Sequence, residues 1–112
     1  MANIPSNGPD PTKVASNAYK KLMENEHVRV LEVRFKPGDK VVPHWHPNHV
    51  TYFFEDCSLE VTTPEGGTRK LAAKAGDIAW TDSGRHEAFN NGKSDVHALV
   101  VELKGNTKKL GE

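Results

Sequence analysis

Short runs of β-branched and aromatic residues alternate along the chain with clusters of turn-forming residues. The runs read "KVVPHWH" (40–46), "HVTYFFE" (49–55), "SLEVTT" (58–63), "TRKLAA" (68–73), "DIAWT" (77–81), "HEAFN" (86–90) and "VHALVVEL" (96–103). Between them lie "KPGD" (36–39), "TPEGG" (63–67), "AGD" (75–77), "SG" (83–84) and "NNGKSD" (90–95). Several short strands at such spacing predict an all-β sandwich or barrel. Upstream, "HVRVLEVRF" (27–35) alternates Val28, Val30 and Phe35 with polar residues imperfectly, and its β-branched content favours strand. The preceding "AYKKLMENE" (18–26) fits either a short helix or the first arm of a hairpin turning at Asn25-Glu26. Pro43 and Pro47 place their neighbourhood on a sheet edge or at a bend, as a chain entering and leaving a barrel mouth requires.

Length narrows this to one domain with one core, since the chain has 112 residues. The first dozen residues hold three of the seven prolines and read as a flexible arm. The expected division is therefore an arm over 1–12, a barrel domain over 13–104 and a polar tail over 105–112. Fifteen basic residues balance fifteen acidic ones, which points away from nucleic-acid or membrane partners. No apolar run approaches a membrane span, and the N-terminus lacks the basic flank and apolar stretch of a secretory signal. A single cysteine, Cys57, permits no intrachain disulfide and reads as a buried small hydrophobe. A cytoplasmic protein is the expectation. Phosphate-cradling, nucleophile-elbow and paired-cysteine zinc motifs are absent from the sequence.

The candidate chemistry lies in "HWHPNH" (44–49), which holds three of the six histidines. His44 and His46 alternate as residues on one strand face do, with Trp45 directed the other way. Neutral imidazoles suit Fe, Mn, Ni, Zn or Cu, and two from one rigid strand fix much of a site's geometry. A second module, "GDIAWTDSGRHEAFN" (76–90), combines two glycine turns with His86 and Asn90. Gly38-x5-His44-x-His46 resembles the first motif of the cupin superfamily, and Gly76, Gly84, His86 and Asn90 are similar to the second. The resemblance covers roughly residues 25–103. It implies a small jelly-roll β-barrel holding one divalent transition metal ion per chain through histidines of both modules, His44, His46 and His86 among them.

Two departures qualify the match. Asp82 stands where the second motif usually has proline, and the Gly84–His86 interval is one residue short. The usual carboxylate of the first motif is missing: its slot falls on Val50 or Thr51 counted from His46, and on His49 counted back from Tyr52. Of these, His49 is the competent donor and is expected as the fourth ligand. The competing reading has it lining the rim and bonding a backbone group. A metal-free pocket lined by histidines is the alternative for the whole set. His27 and His97, each alone in its strand, are read as structural.

A site built from histidines alone carries no ligand charge, so an ion there favours an anionic, chelating substrate. The pattern resembles histidine-only cupins, a group of oxygenases acting on diketones or small thiols. Lewis-acid isomerase or lyase chemistry, and a non-catalytic barrel that binds or senses a small ligand, are the other readings. Catalytic candidates are Tyr52, Arg85 and Glu102, with Tyr52 directed away from the barrel if His49 and Thr51 point in. Arg29, Arg34 and Arg85 are candidate holders of a substrate carboxylate. Phe53, Trp80 and Phe89 are expected to line the pocket. The proline-rich arm suggests a homodimer in which that segment crosses to the partner.

Overall fold

The computed structural model describes residues 8–105. After a one-turn helix, α1 (Pro11–Val14), come nine strands: β1 (Tyr19–Glu24), β2 (Val28–Phe35), β3 (Lys40–His46), β4 (His49–Phe53), β5 (Cys57–Thr63), β6 (Gly67–Ala73), β7 (Ile78–Thr81), β8 (Gly84–Phe89) and β9 (Val96–Leu103). They form a five-stranded sheet in the order β1-β2-β9-β4-β7 and a four-stranded sheet in the order β3-β8-β5-β6. Every pairing between them is antiparallel. The strand spacing predicts the all-β architecture, and the jelly roll is the form the family resemblance implies.

The segment over 18–26 resolves as the hairpin arm, with β1 paired to β2. Asn25 closes the turn by accepting the amides of His27 and Val28 on its side-chain oxygen at 2.8 and 2.9 Å. The inward face of β2 is Arg29, Leu31, Val33 and Phe35, which leaves Val28 and Val30 outward. The sequence alternation suggested the other phase for the valines, because a cation at an inward position masks the apolar row. Opposite lie Glu102, Val100, Ala98 and Val96 of β9, in direct register. Apolar rows from both sheets, including Val41, Phe53 and Leu59, close the core. Each such side chain contributes roughly 1.5–3 kcal/mol on burial.

Two turns set the entries to the site strands. In Lys36–Asp39 and in Lys74–Asp77 the fourth amide donates to the first carbonyl at 2.9 Å. Gly38 and Gly76 occupy the third position with φ of +85° and +89°, the conformation a type II turn demands. Asn90, fully buried, holds the far end: its amide group donates to the carbonyls of Phe35 and Ser94 at 3.2 and 2.9 Å.

The arm expected to be loose over 1–12 is seated from Gly8 onward, while residues 1–7 lie outside the described residues, as do 106–112 of the expected tail. Trp45 donates its amide to the Pro9 carbonyl at 2.8 Å. Asp10 caps α1 through the Thr12 amide and accepts from Arg29 Nη1 at 2.9 Å. A Cβ at Gly8 would meet Trp45 Cβ at 2.9 Å, so only glycine lets the backbone come this close. Among the described residues no helix is long and apolar enough to cross a membrane.

Candidate metal centre

Strand pairing brings the two histidine modules together. β3 is the edge of its sheet, and its register with β8 sets His44 directly opposite His86. The His44 and His86 rings are 4.6 Å apart, and His46 lies 4.9 Å from His44 and 5.2 Å from His86. One ring nitrogen from each of the three falls within 4.8 Å of the others. His44 and His46 are fully buried. His49 opens β4 in the facing sheet, 4.6 Å from the His46 ring and 6.5 Å from the His86 ring. It stands beside the trio rather than within that mutually close group. The corner between them is braced by Asn48, whose carbonyl accepts the Leu103 amide at 3.0 Å and whose side-chain oxygen accepts the Ser83 amide at 2.8 Å.

Hydrogen bonds fix the tautomers. His44 Nδ1 lies 2.7 Å from the Val42 carbonyl and His49 Nδ1 lies 2.8 Å from the Pro47 carbonyl. A carbonyl only accepts, so Nδ1 carries the proton and Nε2 the lone pair. His46 Nδ1 donates to Glu102 at 2.5 Å. Glu102 accepts on its other oxygen from Arg29 Nε at 2.7 Å, and Arg29 reaches on to Asp10. Such buried ion pairs add little net stability. Their effect here is positional, because a carboxylate behind an imidazole orients the ring and raises its donor strength.

Burial holds all four imidazoles neutral. It lowers His44, His49 and, most of all, His46, and it takes His86 down to about 2 with the neighbouring histidines assisting. Burial also pushes Glu102 up, while the Arg29 guanidinium opposes it. Neutral imidazoles with Nδ1 engaged, as in His44, His46 and His49, are the ligand form of histidine, and with the neutral His86 beside them the donor set fits a divalent transition ion. One more polar atom enters the cluster. Tyr19 of β1 sets its Oη 3.3 Å from His44 Nε2 and 3.2 Å from His46 Nε2. Burial, with Glu102 nearby, pushes this phenol up.

Between the sheets lies a cavity of about 170 Å³. His49, His86 and Tyr19 face it, with Phe53, Phe35 and Val100 among its apolar walls and Arg69 as the one cation among the described residues that line it. Among the described residues, none that lines it carries a carboxylate. Phe53 faces the cavity as expected, whereas Trp80 and Phe89 do not. Alternation on β7 and β8 sends Ala79, Thr81 and Ala88 inward instead.

The three catalytic candidates are dispersed. Tyr52 is exposed on the outer face beside Phe54. Glu102 is inward but engaged with His46 and Arg29, and it does not line the cavity. Arg85 is exposed, next to Gly8 on the side of β8 opposite His86. Arg29 is committed to its two carboxylates, and Arg34 to His97 at 3.0 Å on the outside. Tyr19 and Arg69 went unread in the sequence. Each lies in a lysine-flanked, mostly exposed strand, where no motif or apolar period marks it.

A sequence profile of the cupin domain matches residues 31–102. No curated protein matches the chain. Among solved structures, a cupin domain protein from Bordetella pertussis Tohama I is 22% identical, with 94% of this chain and 100% of that one covered at a TM-score of 0.73. A polyketide cyclase from Streptomyces resistomycificus is 19% identical, covering 84% and 70% at 0.59. A sugar phosphate isomerase of the cupin superfamily from Silicibacter pomeroyi DSS-3 is 20% identical, covering 94% and 71% at 0.58. At these identities the likeness establishes the fold.

Proposed function

The chain belongs to the cupin domain family, and from that premise we propose that it is a metalloenzyme of oxygenase type acting on a small anionic, chelating molecule. In this reading His44, His46 and His86 hold one divalent transition ion, with His49 as a further donor. The observation that carries it is the close trio, His44 and His46 buried and His86 partly buried, with His44 and His46 locked in the metal-binding tautomer. Bound there, the ion supplies a Lewis-acidic, redox-capable centre. The chain's own residues do the rest: apolar walls exclude water, and Arg69 offers a guanidinium to a substrate carboxylate. The absence of a carboxylate from the lining weighs against isomerase or lyase chemistry driven by a carboxylate base. The lone cysteine, buried and free, suits a reducing cytoplasm.

Elemental analysis of the purified protein beside a His44→Ala/His46→Ala variant tests the centre. One equivalent of metal in the wild type and none in the variant is expected, and full retention by the variant would sink the assignment. Oxygen uptake with diketones, small thiols and catechol-like acids then tests the reaction. Binding without uptake across that panel would move the function to ligand capture or sensing.

A further inference from the structure

β1 sends one buried side chain toward the histidines, and it ends in a hydroxyl at their lone pairs. Because both Nδ1 atoms are engaged as donors, both Nε2 atoms are acceptors. The Tyr19 phenol brings one proton to two lone pairs, so one of them always faces an oxygen without a hydrogen between. A cation removes that mismatch. Ligands bonded at about 2.0–2.1 Å stand roughly 2.9 Å apart at right angles and roughly 3.4 Å apart at the tetrahedral angle. Oη lies inside that interval from both nitrogens, at 3.3 and 3.2 Å.

We propose that Tyr19 Oη is an oxygen ligand of the ion held by His44, His46 and His86. This rests on the metal-centre reading and adds to it the oxygen donor that the first motif lacks. On ligation the phenolic O–H bond breaks, the oxygen's electron pair binds the ion, and the proton is released to solvent. Glu102 shares the Arg29 guanidinium with Asp10, so it is the ion's own charge that offsets the phenolate. The site then carries one negative ligand, brought from a strand outside both histidine modules.

Copper(II) loading supplies the test. The wild type is expected to bind one equivalent and show a visible phenolate-to-copper charge-transfer band. Tyr19→Phe keeps the equivalent, loses the band and binds at least about tenfold more weakly. Tyr52→Phe, altering the chain's one other tyrosine, keeps both. Resonance Raman excitation within the band reads phenolate ring modes in the wild type, so the test stands even if Tyr19→Phe fails to fold. A wild type that binds copper without the band, or a Tyr19→Phe protein with an unchanged spectrum, overturns the ligand assignment and leaves the histidine centre standing. A wild type that binds no copper overturns both.

Discussion

The four imidazoles around the centre, three buried and His86 partly so, are neutral, and this gives the metal-free protein a defined response to acid. Their folded values lie below the ordinary 6.5, so between the two values the unfolded chain binds more protons. Stability is therefore present above about pH 6.5 and is lost as pH falls, by up to about 1.4 kcal/mol per pH unit for each histidine. For His86 the window extends down to about 2. Glu102, raised by burial, acts in the opposite direction, one group against four. Urea midpoints of metal-free protein should drop between pH 7.5 and 5; a pH-independent midpoint would contradict the burial argument. At this scale the sequence was readable where spacing carries chemistry. His44 and His46 follow from a two-residue period, and His86 from the resemblance of its module to the second cupin motif. Tyr19 does not, because its approach depends on which strand β1 pairs with. Arg29 and Glu102 likewise find each other only through the register of β2 with β9, 73 residues apart.

Strands and turns were easier to read than strand faces. The turn clusters at 36–39 and 75–77 fall where β3 and β7 begin, because glycine there adopts a backbone that other residues resist. A Cβ at Gly38 or Gly76 meets nothing within 4 Å, so an alanine at either is resisted by backbone conformation alone. Gly38→Ala and Gly76→Ala should each lower stability by about 1–2 kcal/mol. Gly84, with no positive φ and equally open space, provides the contrast: its alanine variant should be unchanged or slightly more stable. Chemical denaturation of the three variants decides it, and equal losses would remove the turn account. Face assignment failed where one polar residue interrupts an apolar row, as Arg29 does on β2. It failed again where the larger residue faces solvent, as Trp80 does beside the inward Ala79.

At the scale of the whole molecule, apolar residues form two cross-strand rows on the outer face of the five-stranded sheet. Val30, Val101, Val50 and Trp80 stand in one cross-strand row, and Leu99, Tyr52 and Ile78 in the next. Ile78 is 70% exposed. Soluble monomers seldom leave so continuous a patch open. For the homodimer expected from the sequence we propose this face as the contact. Sedimentation should show a dimer, and Ile78→Glu/Trp80→Glu should yield monomers that retain metal. A monomeric wild type at high micromolar concentration would remove this assembly. The line from Asp10 through Arg29 and Glu102 to His46 has a consequence of its own. Linkage works in both directions, so an ion that tightens His46 also steadies the N-terminal segment. In the proposed metal-bound protein, clipping or displacing that segment loosens the grip on the ion, so a purification tag crowded against residues 8–11 is expected to lower metal occupancy.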